Sequence, residues 1–139
     1  MFKVILVAND GSEGGFKALA LACDLAKHHG AKLHMISVER LPDFPASIDE
    51  VIETKVDQNH KFHEVLARSG EIAKSKGVKL NPVVVAGHPA TAVAARQHEI
   101  KANLLIIGFS GHSALYERII GSTADRLLRL SPCPVLVVK

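Results

Sequence analysis

The chain has no tryptophan, one tyrosine and five phenylalanines in 139 residues. So few flat rings leave little to stack on bases. Its positive residues, from Lys3, Lys17, Lys27 and Lys32 onward, are scattered and form no run, and the formal charge is only +3. A nucleic-acid surface is therefore not indicated. Cysteine is scarce as well. Cys23 falls inside a helical pattern and Cys133 between two prolines, an unpromising disulfide pair that fits a reducing, cytoplasmic setting better. No apolar run approaches the roughly 20 residues of a membrane-spanning helix. The opening MFKVILVAND has too short an apolar stretch for a signal peptide and lacks a small-residue cleavage site. Repeats, low-complexity tracts and linkers are also missing.

What is present is an alternation of strands and helices. Nearly half the residues are apolar, enough for a real core in one domain over residues 1–139. Phe2–Ala8 is an apolar run broken only by Lys3, as in a central parallel strand covered on both faces. Ser12 is a good N-cap for a helix to about His29, with Phe16, Leu19, Ala20, Cys23 and Ala26 at helical spacing and Gly30 as its stop. Lys32–Val38 is the second strand, and Glu39–Ser47, with Pro42 and Pro45, reads as a loop. A long amphipathic helix covers Ile48–Lys76, polar and exposed or kinked at Asp57–Lys61, with Gly77 as its stop. Val78–Ala86 is the third strand, placed at an edge by Pro82. Ala90–Ile100, Asn103–Ile107, Ser122–Leu130 and Val135–Val138 complete the series, with Ser122 as the last helix's cap and Asp125 as a partial capping-box acid. Strict alternation predicts an α/β fold with an open, doubly wound parallel sheet.

The most informative segment is GFSGHSALYERIIGST, from Gly108 to Thr123. A strand runs into a glycine-marked loop, and the loop into a helix N-terminus. Glycines admit close backbone approach and positive φ. The first amides of a helix are unpaired donors at the positive end of its dipole. Together these predict an anion site, specifically for phosphate. The strand-to-helix loop over 108–121 also exceeds the usual two to six residues, and long loops in compact domains are usually functional. Competing motifs fail. No GxGxxG follows the first strand, and GxxxxGK followed by Ser or Thr occurs nowhere. Asp10 stands where a receiver domain has its first acid, but Ala86-Gly87 occupies the place of the phosphoacceptor Asp. No Ser–His–Asp or Cys–His arrangement can be placed. His60 and His63 share a helix face, but a solvated polar face is the simpler reading. His28-His29 complements a helix C-terminus.

The chain resembles the universal stress protein family over its full length. FKVILVANDGS, GHPATAV after the third strand, G-x2-G-x9-G-S and the ending SPCPVLVVK carry the resemblance. It implies a Rossmann-like five-stranded sheet of order 3-2-1-4-5 with four helices. The intact glycines and terminal serine imply the family's ATP-binding branch. By position, Gly108, Gly111 and Gly121 would bring amides to ribose and phosphates, and Ser122 and Thr123 would add donors to the phosphates. Asp10 would contact the adenosine moiety or help place a metal, with Mg²⁺ or Mn²⁺ held mainly by the phosphates. Ala8, Val38 and Ile107 would line the adenine slot. Two loop residues depart from the family's common pattern. Phe109 replaces a small polar residue, and His112 replaces Lys or Arg. His112 titrates near neutral pH, so its pull on phosphate would vary with pH. Arg118 is either a fixed charge for the phosphates or a solvated surface arginine.

The implied function is a small cytoplasmic regulatory or stress-response protein in which ATP orders the loop and tunes assembly. A slow ATPase or nucleotide hydrolase is one alternative, with Asp10 and His112 as its only acid–base candidates. A non-nucleotide interaction module is another. A homodimer through the terminal strand Val135–Val138 is expected from its open edge and from the resemblance.

Overall fold

A computed structural model describes residues 1–40, 48–109 and 120–139, with the backbone alone described for 48–58. Its elements alternate as β1 (Val4–Ala8), α1 (Glu13–His29), β2 (Lys32–Arg40), α2 (Ile48–Ser75), β3 (Leu80–Gly87), α3 (Pro89–Ile100), β4 (Leu104–Gly108), α4 (Ser122–Leu130) and β5 (Val135–Val138). The five strands form one parallel sheet in the order β3-β2-β1-β4-β5. The expected fold is thus present, and Pro82 does lie on an edge strand.

Strand periodicity divides the core into two layers. Ile5 and Val7 of β1 point to one face, where Phe16, Leu19 and Cys23 of α1 and Phe62, Val65 and Ala73 of α2 cover them. Leu6 points to the other, with Val93 of α3 and Ala124 and Leu127 of α4. Ile5, Leu6 and Val7 are fully buried, each stabilising the fold by about 2 kcal/mol relative to an exposed side chain. That is why β1 reads as a continuous apolar run rather than an alternating one.

The helix ends follow local chemistry. Ser12 caps α1, its Oγ accepting from the Gly15 amide at 3.1 Å. Gly30 takes the left-handed conformation (φ 64°) that closes α1, which a side chain would oppose. Pro89 occupies the first turn of α3, where its missing N–H costs nothing. The helix α2 runs unbroken through 57–61, with Asn59 and His60 exposed, which is the first of the two alternatives expected there.

Four expectations need correction. The strand β2 continues to Arg40, because Glu39 and Arg40 pair with Ala86 and Gly87 of β3. The strand β3 begins at Leu80 rather than Val78, whose amide still closes the α2 terminus on Ala73. Gly121, not Ser122, is the N-cap of α4: its carbonyl accepts the Asp125 amide at 2.9 Å, so Ser122 is already in the first turn. Asp125 therefore forms no capping box, and instead faces Arg129 at 3.6 Å.

Candidate functional site

A cavity of about 400 Å³ opens beyond the carboxyl ends of the strands. Its place follows from topology. The chain leaves β1 for α1 on one face of the sheet and leaves β4 for α4 on the other, so the two connections part and leave a crevice between them. Its apolar wall comes from Ala8, Ile36, Val38 and Ile107 at strand ends and from Val93 and Leu127 of the covering helices. Its polar groups come from Asp10, Ser12, Arg40, Ser122 and Thr123. An apolar slot with few convergent polar groups, of this volume, is the usual form of a small-molecule site.

Of the residues expected in the site, Ala8, Asp10, Val38, Ile107, Gly108, Gly121, Ser122 and Thr123 all line this one cavity. Phe109 does not: its ring lies 5.4 Å from the Lys139 ammonium, and its carbonyl accepts the Gly121 amide at 3.1 Å. Gly111, His112 and Arg118 lie outside the described residues.

The two helix N-termini beside the cavity differ. That of α1 is capped by its own Ser12. Among the described residues no side chain caps α4, and its leading amides at Ser122, Thr123 and Ala124 point out of the helix as donors, with the hydroxyls of Ser122 and Thr123 next to them. A fixed cation joins this positive end. Arg40, at the tip of β2, donates from Nη2 to Thr123 Oγ1 at 3.3 Å. A guanidinium beside the positive end of a helix is an arrangement that favours an anion.

Neither described loop glycine has a positive φ. Gly121 has φ −62° and ψ 152°, open to any residue, so positive φ is not its reason. The positive-φ glycine at the site is Gly11 (φ 86°) in the other loop. At Gly108 a Cβ would stand 2.9 Å from the backbone of Gly14. The end of β4 and the start of α1 therefore touch through two glycines.

Asp10 lies on the cavity wall with Oδ1 accepting from the Ser12 amide at 3.0 Å and from the Ser12 hydroxyl. Ser12 thus both caps α1 and lines the cavity. Among the described residues, Asp10 is the one carboxylate of the lining, and no group of three or more His, Cys, Asp or Glu stands ready to hold a metal. Neither cysteine forms a disulfide. Cys23 is buried, which pushes its thiol pKa up.

The expectations from sequence did not include Arg40, Gly15, Pro89 or Val93 in this lining. A signal for Arg40 is its place at the carboxyl end of a strand, hidden because Pro42 and Pro45 draw the loop boundary back to Glu39.

The model of the universal stress protein family matches residues 1–139. The universal stress protein YxiE of Bacillus subtilis is 32% identical, with 100% of each chain covered. A universal stress protein solved in complex with cAMP is 27% identical, with a TM-score of 0.73, covering 99% of this chain and 97% of that one. The structure of hypothetical protein MJ0577 superposes with a TM-score of 0.88 at 23% identity, covering 100% and 96%.

Proposed function

The chain belongs to the universal stress protein family, and from that premise we propose that its cavity binds an adenine nucleotide, ATP above all. The observation that carries this is the meeting of Gly108, Gly121 and the first turn of α4 with the apolar slot of Ala8, Val38 and Ile107. The slot accepts a flat apolar base. The α4 amides, the Ser122 and Thr123 hydroxyls and Arg40 suit a phosphate chain. A relative solved with cAMP supports a nucleotide as the ligand class.

In this reading Asp10 and Ser12 hold the nucleoside side of the cavity. Gly111 and His112 add to the phosphate side from outside the described residues. Mg²⁺ or Mn²⁺ is carried mainly by the phosphates, with Asp10 the one described carboxylate able to help. Asp10 Oδ1 already accepts two bonds from Ser12, which favours holding ATP over activating water. The protein then acts in the cytoplasm as a ligand-responsive regulator. ATP orders the Gly108–Gly121 loop and, through the neighbouring β5, shifts a homodimer equilibrium. Among the described residues no helix is long and apolar enough to cross a membrane.

An acid extract of the purified protein, separated by ion exchange, tests the ligand. ATP is expected, and retained up to stoichiometric amounts when the protein is first loaded with it. An extract free of adenine nucleotides after loading would overturn the reading.

A further inference from the structure

On the α2 side of the cavity, starting from its lining residue Asn9, lies a polar junction that the nucleotide reading does not use. Asn9, directly after β1, is 1% exposed, and Ser69, in the last third of α2, is 0% exposed. Asn9 Nδ2 donates to Ser69 Oγ at 3.2 Å and lies 3.8 Å from Met35 Sδ. Its Oδ1 accepts the Gly11 amide at 3.0 Å, and its carbonyl accepts from Ser37 Oγ at 2.7 Å. One carboxamide therefore ties α2 to the turn that carries Asp10, while its backbone is fixed to β2. A buried amide bonded at both ends has a single favourable orientation, since breaking either bond leaves a desolvated polar atom.

Sterics grip the same turn from both sides. At Gly11, already at φ 86°, a Cβ would stand 2.8 Å from Val65 Cγ2 of α2. At Gly15 of α1, a Cβ would come within 3.0 Å of Asp10 Oδ1 and closer still to Asn9 Oδ1. The turn thus has no slack. If α2 moves, the turn moves with it or its buried bonds break.

We infer that Asn9 is a positioning residue: its bond to Ser69 sets the place of the Asp10 carboxylate in the cavity according to how α2 is seated. Ligand binding and displacement of α2 are then coupled, each altering the other by the same factor. A partner that shifts α2 changes ligand affinity without touching the cavity. The coupling of ligand to α2 rests on the nucleotide reading above, whereas the link from Ser69 to the turn does not.

The test uses the full chain with Ser69→Ala, which removes the acceptor and little volume. Ala73→Gly, one turn further along α2, is a control for loss of helix stability alone. The first measurement is amide hydrogen exchange in ligand-free protein. Ser69→Ala is expected to speed exchange at Gly11 and Ser12 while α2 stays protected, and Ala73→Gly to leave those two amides unchanged. Unchanged Gly11 exchange in Ser69→Ala, or an equal change in the control, would overturn the inference. The second measurement is ATP affinity. Ser69→Ala should weaken it roughly three- to thirtyfold, and should cause no further loss in an Asp10→Asn background. Equal losses in both backgrounds would show that Ser69 does not act through Asp10, and would also overturn the inference. If the unaltered chain binds no ATP, the nucleotide reading fails and the exchange result alone decides the positioning role.

Discussion

Arg40 and Thr123 meet across the cavity, the guanidinium Nη2 of one donating to the hydroxyl of the other at 3.3 Å. The first sits at the tip of β2 and the second in the opening turn of α4, so the contact joins the two walls of the crevice. It also puts a permanent cation where the helix dipole is positive. A phosphate in the cavity would meet both the guanidinium and the leading amides of the helix. Arg40→Ala should therefore weaken ATP binding by roughly tenfold, about 1.4 kcal/mol, and adenosine binding hardly at all. Titration calorimetry with both ligands checks this, and the gap should shrink as salt is raised.

Gly121→Val should block the phosphate side and spare the fold. Its backbone angles suit any residue, and a poorer N-cap costs about 1 kcal/mol. A melting curve near that of the unaltered chain, together with lost ATP binding, is the expected pair of results. Undiminished binding would remove Gly121 from the site.

Much of this was legible from sequence because the signals are local. Gly30 and Gly77 end their helices at positive φ, as glycines after helical patterns do. The apolar run of β1 announces a strand buried on both faces. The rest depends on partners distant in sequence. That β2 extends to Arg40 is decided by its pairing with β3. The cap of α4 falls on Gly121 rather than the adjacent Ser122, and the Gly121 amide is bonded to the Phe109 carbonyl, twelve residues earlier. Asn9 and Ser69, sixty residues apart, share a bond that no local pattern encodes.

The pH dependence of stability has a separate source at the other end of β2. Burial first, then the charges of Arg96 and Lys32, hold the His34 pKa below its ordinary 6.5. Between the folded and the unfolded pKa the unfolded chain binds more protons, so stability rises with pH there. It is full above about 6.5 and falls as pH drops through that value. Urea unfolding at mildly acidic and mildly basic pH should show a smaller difference for His34→Gln than for the unaltered chain. Equal differences would remove His34 as a cause.

The open edge of β5 bears on assembly. The carbonyls of Pro134 and Val138 accept from Leu105 of β4 and from Phe109 just after it. By strand alternation, the N–H and C=O groups of Val135 and Val137 then face outward, and the Leu136 side chain is 36% exposed. Val137→Pro removes an outward donor without breaking the bonds to β4, as an edge strand tolerates. Light scattering is expected to show a dimer for the unaltered chain and a shift toward monomer for Val137→Pro. A monomer for the unaltered chain, with and without ATP, would reject this interface.

The central claim is that the cavity holds ATP, and thermal melting of nucleotide-stripped protein against ATP with Mg²⁺ tests it most directly. Binding to the folded state alone raises stability by about 2.7 kcal/mol at a hundredfold excess over Kd, or roughly 10 °C in Tm for a domain of this size. The account expects Tm to climb steadily with ATP concentration in the unaltered chain and to stay flat in Gly121→Val. A Tm that does not move for the unaltered chain at saturating ATP would contradict it.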